Sequence, residues 1–373
     1  MPASSNPATT PAPALKEMFN AARFAMVADE MTAIDPQFDR KRFLALALVD
    51  LEDLSLWQRL RRMTECFHVL LPTDYRKSLD LLHALAPRMG SGFVTLFLPD
   101  FVSLYGQQDF EASMKSLKFF TPFGSSEFGV REFLRRDLRR TLTVMETWSR
   151  DPDPEVRRLA SEGCRPRLPW SFQLVELVAD PTPTLPILEN LQADSSRYVR
   201  KSVANHLNDI TKNHPEWVLD RLAGWPLEQT HTAWIARHAL RTLIKKGHPR
   251  ALHHIGATPR TEVAVSVTEV TVEPPQVRLG DRLTLGCHLH SHAATAQRLV
   301  VDYRIHYVKK SGLTSPKVFK WKEVTLAPGE GLSLSRTQVI RDFTTRTHHA
   351  GRHEVEMLVN GQVFKGGFFD LTC

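Results

Sequence analysis

Two acidic residues lie where predicted helices end. Glu162 occupies the last turn of a predicted helix that stops before Pro166, and Asp209 lies late in a second one. The C-terminal end of a helix carries a partial negative charge, so a carboxylate is disfavoured there. The compensating charge comes either from nearby arginines such as Arg165 and Arg167, in an ion pair that shapes the loop, or from a cationic ligand. In the second case the carboxylates would stabilise positive charge at a reacting centre.

Three further residues near these acids are candidates for ligand contacts. Trp170 follows Pro169 in the connection after Glu162. A tryptophan at a junction between loop and helix either fills a hydrophobic core or lines a binding face, and the sequence leaves both alternatives open. Glu127, with Phe128 after it, is predicted in a first helical turn, where an acid complements the helix dipole.

Basic residues recur just after the apolar anchor of each predicted repeat helix. At equivalent positions they would line one edge of a repeat structure with positive charge that a phosphate backbone attracts. For any single arginine the alternative is a solvated helix face. The residues concerned are Arg157, Arg158, Arg200, Lys201 and Arg237, with Arg131, Arg135, Arg136, Arg139 and Arg140 extending the series upstream.

The spacing of apolar residues places these groups on short helices. From Leu15 to about Ile255, apolar residues recur every three or four positions, and Pro and Gly separate the segments into short antiparallel neighbours. Apolar triplets spaced by four begin at Val156, Val199 and Ile235, and a repeat of about 40 residues is typical of HEAT-type helical pairs. Such repeats stack into a solenoid whose concave face suits a long ligand.

The pattern changes to alternation from about Thr261. Val- and Thr-rich segments between turn residues predict about seven short strands, which suits an immunoglobulin-like sandwich better than a barrel. We therefore predict a multidomain α + β protein, with an N-terminal all-α HEAT-like repeat solenoid over residues 15–257 and a C-terminal immunoglobulin-like β-sandwich over 258–373. Residues 1–14, rich in Pro, Ala, Ser and Thr, are predicted to form a disordered tail.

Composition excludes several classes of protein. The 373 residues are 42% hydrophobic and 24% charged, as in an ordinary soluble globular protein. The net charge of +7 is compatible with a polyanionic partner but does not demonstrate one. Four widely separated cysteines without a CxxC pair favour a reducing cytoplasm over a disulfide framework. The absence of a secretory signal and of a long apolar run predicts a cytoplasmic protein without membrane contact.

Three long segments, found in this order, resemble one protein family. EVRRLASEGCRPRLPW, YVRKSVANHLNDITKNHPEWV and DYRIHYVKKSGLTSPKVFKWKEVTLAPGE are similar to the bacterial alkylpurine DNA glycosylases of the AlkC/AlkD superfamily. The all-β domain points to the AlkC type, since AlkD-type members are the solenoid alone. The resemblance implies a DNA glycosylase, and we predict a monomeric, monofunctional enzyme without cofactors. It would hydrolyse the N-glycosidic bond of cationic bases, 3-methyladenine and 3-methylcytosine, in double-stranded DNA and leave an abasic site.

The resemblance also implies roles for individual residues. Glu162 and Asp209 match the family's catalytic carboxylates, Trp170 matches the aromatic residue beside the lesion, and Glu127 and Phe128 match a further segment near the site. An alkylated base is already cationic, so the remaining tasks are to stabilise an oxocarbenium sugar and to orient water. The DNA-contacting candidates are Arg157, Arg158, Arg165, Arg200, Lys201, Arg237, Lys309, Lys310 and Lys317. The alternative is a non-catalytic HEAT-repeat DNA-binding or scaffold protein, because a fold does not decide a function.

The predicted sandwich carries two further motifs. A lysine-rich hairpin with Lys309, Lys310 and Lys317 either grips DNA or solubilises an edge strand. A second motif alternates histidines on one strand face: His288, His290 and His292. Because no Cys or acid at ligand spacing accompanies these histidines, we predict no metal site.

Overall fold

Residues 14–343 and 346–372 are described by the computed structural model, apart from the side chain of Lys365. The predicted disordered tail therefore lies outside the described residues, except for Ala14. The chain divides into two compact units, Met1–Asn213 and His214–Cys373.

The first unit consists of short helices. They are α1 (Ala21–Ile34), α2 (Arg40–Ala47), α3 (Leu56–Leu70), α4 (Tyr75–Met89), α5 (Phe97–Tyr105), α6 (Phe110–Phe120), α7 (Val130–Arg136), α8 (Leu138–Trp148), α9 (Pro154–Gly163), α10 (Val175–Ala179), α11 (Leu185–Asn190) and α12 (Arg197–Ile210). Many helices that are adjacent in the chain pack together in this unit, such as α1 with α2 and α7 with α8, and α9 packs against α12. The two predicted site carboxylates therefore lie on neighbouring helices.

The local sequence explains where α9 begins and which face it buries. The Asp153 side chain accepts a hydrogen bond from the backbone N–H of Glu155 (2.8 Å). Pro154 occupies the first helical position, where the missing N–H would have no partner in the helix. Val156 and Ala160 are buried on α9, and Cys164 is buried directly after the helix. The apolar triplet that predicts this helix is thus its packing face.

The second unit combines helices with two β-sheets. The helices are α13 (Pro215–Ala223), α14 (Thr230–Ala239), α15 (Arg241–Lys245) and α16 (Pro249–His254). The strands are β1 (Val265–Glu273), β2 (Gln276–Arg278), β3 (Arg282–Ser291), β4 (Gln297–Val308), β5 (Thr314–Leu326), β6 (Gly331–Val339), β7 (Gly351–Val359) and β8 (Gln362–Thr372).

The strands form a sandwich. One sheet has the order β1-β3-β6, and the other has the order β2-β8-β7-β4-β5, with β2 and β8 parallel. Leu285, Leu289, Tyr303 and Phe369 are buried in the core between the sheets. Because strand residues alternate between faces, β4 directs Tyr303 into this core and its neighbour Asp302 to the opposite face of the larger sheet.

The predicted fold class, helices followed by an immunoglobulin-like sandwich, is confirmed. The described residues form eight strands, against about seven predicted. The compact units divide between residues 213 and 214, because α13–α16 share contacts with the strands, such as the bond from Lys245 Nζ to the Val318 carbonyl (3.0 Å). The limits 15–257 and 258–373, which follow the change of secondary structure, stay a prediction. Among the described helices, none combines the length and apolarity needed to cross a membrane.

Candidate active site

A cavity of about 600 Å³ in the first unit brings most of the predicted site residues together. Its lining includes Glu162 from the end of α9 and Trp170 from the connection that follows. The other predicted residues on its wall are Glu127, Phe128, Arg158 and Arg165. Asp209 does not line the cavity, but it is connected to it through Arg165.

Glu162 is buried, and both of its carboxylate oxygens have partners. Oε1 accepts a hydrogen bond from Arg165 Nη1 (2.5 Å), and Arg158 Nη2 lies 3.5 Å from the same oxygen. Oε2 accepts a hydrogen bond from Ser202 Oγ on α12 (2.6 Å). The carboxylate is thus fixed in position at the cavity wall and is held by two cations and a hydroxyl group.

Asp209 is also buried and shares one of these cations. Its Oδ2 accepts a hydrogen bond from Arg165 Nε (2.9 Å) and lies 2.8 Å from Nη2, and its Oδ1 accepts one from Lys212 Nζ (2.9 Å). Burial disfavours the charged form of Arg165, but Glu162 and Asp209 outweigh it and raise the pKa of this guanidinium. Arg165 therefore stays charged between two carboxylates.

An arginine compensates the charge of the two acids at their helix ends. Arg165 provides the ion pair, whereas Arg167 points elsewhere and donates to Gln173 (3.0 Å) and Asn213 (2.9 Å). The carboxylates are therefore compensated within the protein, and their placement alone does not require a cationic ligand. Glu162 nevertheless lies on the wall of the cavity, where a bound ligand would come close to it.

Buried groups behind the cavity set the position of this helix end. Arg131 is fully buried and donates to the carbonyl groups of Gly163 (2.9 Å), Arg165 (2.8 Å) and Phe172 (2.5 Å). The bond to Gly163 satisfies a carbonyl group that α9 leaves unpaired at its C-terminal end, and the other two bonds hold the connection that follows α9. A Cβ atom on Gly163 would lie 2.6 Å from Cγ1 of Val130, so glycine is needed for this close approach of α9 to α7.

Glu127 lies in the turn before α7, three residues ahead of its first residue Val130. The expected position in a first helical turn is therefore wrong. Instead of complementing a helix dipole, the Glu127 carboxylate accepts hydrogen bonds from Ser125 Oγ (2.8 Å) and from Arg158. A further acid on the cavity wall, Glu155, was not identified from the sequence, because a glutamate in a first helical turn has an ordinary capping role.

An aromatic cluster lies at the cavity. Trp170 is 67% exposed, so the alternative that it fills a core is wrong. Its φ of 67° is in the left-handed region, which costs a non-glycine residue on the order of 1 kcal/mol. Its ring packs edge-on against Trp57 (5.9 Å between centroids), and Trp57 packs in the same way against Phe128 (5.5 Å). Strained backbone that holds an exposed tryptophan beside two aromatic rings indicates a binding surface.

Trp57 was missed in the sequence. It is half-exposed in the first turn of α3, about 100 residues from the predicted site segments, and no local motif marks it. The one available signal was the apolar periodicity of α3, which buries Leu60, Met63 and Phe67 and leaves Trp57 off the packing face.

Comparison with known proteins identifies the family. A family model described as "DNA alkylation repair enzyme" matches residues 121–243, and a model described as "Uncharacterised protein YhaZ, C-terminal Ig-like domain" matches residues 266–373. The structure is similar to Pseudomonas fluorescens alkylpurine DNA glycosylase AlkC bound to DNA containing an abasic site analog. That similarity has a TM-score of 0.91 and 54% sequence identity, and covers 97% of this chain and 100% of the other. The chain belongs to the AlkC family of alkylpurine DNA glycosylases.

A second relative also matches over nearly the whole chain. The "Uncharacterized protein YhaZ" of Bacillus subtilis (strain 168) is 39% identical over 350 residues, which are 94% of this chain and 97% of that protein. The family resemblance predicted from the sequence segments is thus confirmed for both parts of the AlkC-family chain.

Two predicted DNA-contacting arginines of this AlkC-family protein form hydrogen bonds within the first unit. Arg157 Nη1 donates to the carbonyl groups of Asp151 and Pro152 (both 2.9 Å), and its Nε donates to Asp194 (2.6 Å). Arg200 Nη1 donates in the same pattern to the carbonyl groups of Asp194 (2.8 Å) and Ser195 (2.7 Å). At these two positions the recurrence in register therefore has a structural cause, since Arg157 and Arg200 each hold the loop before their own helix.

Other basic candidates differ in their exposure. Arg158 is mostly buried at the cavity, whereas Lys201 is exposed on α12. In the second unit Arg237 pairs with Glu323, and Lys309 and Lys310 lie on an exposed turn between β4 and β5. Lys317 is exposed on β5, with Nζ 5.4 Å from the Phe319 ring centroid. Their contacts with DNA stay predictions.

Replacing Arg157 should affect stability, while replacing Lys201 should affect DNA binding. We expect Arg157→Ala to lower the free energy of unfolding by about 2 kcal/mol, because it leaves the Asp194 carboxylate without its charged partner. Lys201→Ala should change it by less than about 0.5 kcal/mol and weaken DNA binding, with a smaller salt dependence. Urea denaturation and salt-dependent DNA titration check both. Equal effects of the two variants in either assay would contradict this division.

Two of the three histidines, His288 on β3 and His292 just after this strand, have serine hydroxyl groups as neighbours. His288 Nδ1 lies 3.0 Å from Ser333 Oγ, and His292 Nε2 lies 3.0 Å from Ser266 Oγ. In the part of the chain that the structure describes, no three His, Cys, Asp or Glu side chains are grouped as metal ligands would be.

Proposed function

We propose that this AlkC-family protein excises cationic N-alkylated bases, 3-methyladenine and 3-methylcytosine, from double-stranded DNA. The observation that carries the proposal is the cavity in which a fixed buried carboxylate, Glu162, faces the same space as the exposed aromatic ring of Trp170. A carboxylate and aromatic faces are both attractive to positive charge. The similarity to an alkylpurine DNA glycosylase and to DNA alkylation repair enzymes supports the same chemistry.

The reaction needs little from the protein at the base itself. A base alkylated at N3 carries a positive charge, so when its bond to C1′ breaks, the electron pair neutralises the base. The sugar becomes an oxocarbenium ion, which a carboxylate stabilises. We assign this role to Glu162, whose Oε1 and Oε2 are already held by Arg165 and Ser202.

Water completes the reaction. Its oxygen forms the new bond to C1′, and its proton passes to a carboxylate or to solvent. We propose that Asp209 acts with Glu162 in this step, because Arg165 binds both carboxylates and fixes one relative to the other. Among the described residues that line the cavity, none is a lysine, so a Schiff base has no amine there. The proposed enzyme is monofunctional and leaves an abasic site.

The direct test is base release from duplex DNA methylated at random. We expect release of 3-methyladenine and 3-methylcytosine as free bases, measured by mass spectrometry, with neutral methylated bases retained. Protein that binds this DNA without releasing any base would overturn the proposal and favour the non-catalytic DNA-binding alternative. Strand cleavage without added base would contradict the monofunctional assignment.

Removing the exposed tryptophan should reduce excision without affecting folding. We expect Trp170→Ala to lower the rate of base release about tenfold, because a cation–π contact is worth about 1–2 kcal/mol when it is desolvated. Single-turnover assays measure this loss. Val175→Ala removes another exposed apolar side chain, 71% accessible, and serves as the control with unchanged rate. A Trp170→Ala variant as active as this control would exclude the contact.

A further inference from the structure

A second cavity lies wholly within the second unit. It has a volume of about 370 Å³ and is bounded by α14 and α15 on one side and by the outer face of β4 and β5 on the other. Its charged lining consists of Arg237, Arg241, Lys245, Lys320, Asp302 and Glu323. None of these residues lines the proposed excision cavity.

Asp302 is the unusual member of this group. Only 1% of it is exposed, and its buried Oδ1 has no hydrogen-bond partner. A buried polar atom without a partner costs about 1–3 kcal/mol, so such atoms are rare in folded proteins. Burial raises the pKa of this carboxyl to about 6, although Lys245 and Lys320 act in the opposite direction. The cavity therefore contains a hydrogen-bond acceptor that the protein itself leaves unsatisfied.

The cations around Asp302 are directed to other groups. Glu323 accepts hydrogen bonds from both Arg237 and Lys320, and Lys245 donates to the Val318 carbonyl. An ammonium group has three donors, so Lys245 retains donors for a ligand after this bond. Within the described lining, four cations and two carboxylates leave a surplus of two positive charges. A phosphate monoester carries a charge of about −2 at neutral pH and would offset that surplus.

The register of the sheet explains why these groups meet. Asp302 lies opposite Lys320, at a bulge between the pairs Val301–Lys322 and Asp302–Lys320. The bulge inserts Trp321 and returns Lys320 to the outer face, on the same side as Asp302. Trp234 and His238 of α14, stacked with centroids 5.0 Å apart, add a flat aromatic pair to the lining.

We propose that this cavity is a second nucleotide-binding site, in which Asp302 accepts hydrogen bonds from a base and the surrounding cations bind its phosphate. A carboxylate matches the adjacent N1–H and N2 amino donors of guanine, and acidic side chains read base amino groups in the same way in DNA grooves. The volume lies within the range of small-ligand sites. The ligand is either a free nucleotide or a nucleotide of DNA that has left the stack.

The proposal is tested by equilibrium dialysis of the full chain with 2′-deoxyguanosine 5′-monophosphate. Deoxyguanosine and deoxyribose 5-phosphate serve as the two halves of the ligand, and we expect each to bind at least tenfold more weakly than the nucleotide. Asp302→Asn should remove the advantage of the nucleotide over deoxyribose phosphate. Lys245→Met should weaken both phosphate ligands. Asp220→Asn, at an exposed acid of α13, is the matched control with unchanged binding.

A binding experiment with DNA distinguishes a free nucleotide from a nucleotide of DNA as the ligand. If the nucleotide belongs to DNA, a duplex with one bulged guanine should bind more tightly than a fully paired duplex, and Asp302→Asn should abolish the difference. Because Asp302→Asn removes the charge of a buried carboxylate whose Oδ1 lacks a hydrogen-bond partner, its Tm should be equal to or above that of the wild type. Binding of neither the nucleotide nor the bulged duplex above control levels, or equal effects of Asp302→Asn and Asp220→Asn, would overturn the proposal.

Discussion

Glu162→Gln is expected to lower the rate of base release by about 10³-fold while DNA binding is retained. Glutamine has nearly the same shape, and its amide oxygen can still accept the hydrogen bond from Ser202 or Arg165. It lacks the negative charge that the oxocarbenium sugar requires. The effect should therefore appear in single-turnover rates on methylated DNA and be absent from equilibrium DNA titrations.

Glu155 provides the matched control for this experiment. It lies on the wall of the same cavity but at the opposite end of α9, where its backbone N–H is capped by Asp153. Glu155→Gln should change the rate less than about threefold, since this acid has no role in the proposed chemistry. If Glu162→Gln retained a tenth of wild-type activity, or if both variants lost activity equally, the assignment of Glu162 would fail.

The largest effect on stability is expected at Arg165. Arg165→Met leaves two buried carboxylates, Glu162 and Asp209, without the cation that they share. Removing one partner of a buried ion pair costs about 3–5 kcal/mol, because an uncompensated charge remains in the interior. Urea denaturation should show this loss as a lower transition midpoint with an unchanged slope.

A rescue experiment separates charge from packing. In the triple variant Arg165→Met, Glu162→Gln and Asp209→Asn, the carboxylates are neutral, and at least half of the lost free energy of unfolding should return. Arg167→Met is the control, because this arginine bonds only to uncharged side chains and should cost less than about 1 kcal/mol. A triple variant no more stable than Arg165→Met would show that packing of the guanidinium, and not charge, dominates.

The sequence was sufficient to locate the elements and the two acids. Apolar spacing predicts α9 and α12 because the residues that show this spacing also form the packing faces, with Val156 on α9 and Val199 on α12. The stop signals after each helix place Glu162 and Asp209 in their last turns, where the structure has them. The change from helical to alternating periodicity likewise marks the start of the strands.

Contacts between distant segments could not be predicted in the same way. The aromatic contact of Trp57 with Trp170 joins segments that no local pattern connects, and the exposure of Trp170 depends on a backbone conformation that the residue type disfavours. The recurrence of arginines after each anchor was visible, but not its cause. The carbonyl groups that Arg157 and Arg200 bind belong to loops whose geometry the sequence does not specify.

The close approach at Gly163 has a consequence for how this site can change through mutation. The space that a methyl group at position 163 would need is occupied by Val130, so position 163 cannot take a side chain in place while position 130 keeps its valine. Gly163→Ala alone would push the last turn of α9, with Glu162, away from α7, whereas Val130→Ala would first open the necessary room. One substitution at position 163 is therefore enough to displace the Glu162 carboxylate. A side chain at position 163 that leaves Glu162 in place requires a second substitution, at position 130. The position of the proposed catalytic carboxylate is therefore coupled to the identity of the buried valine at position 130.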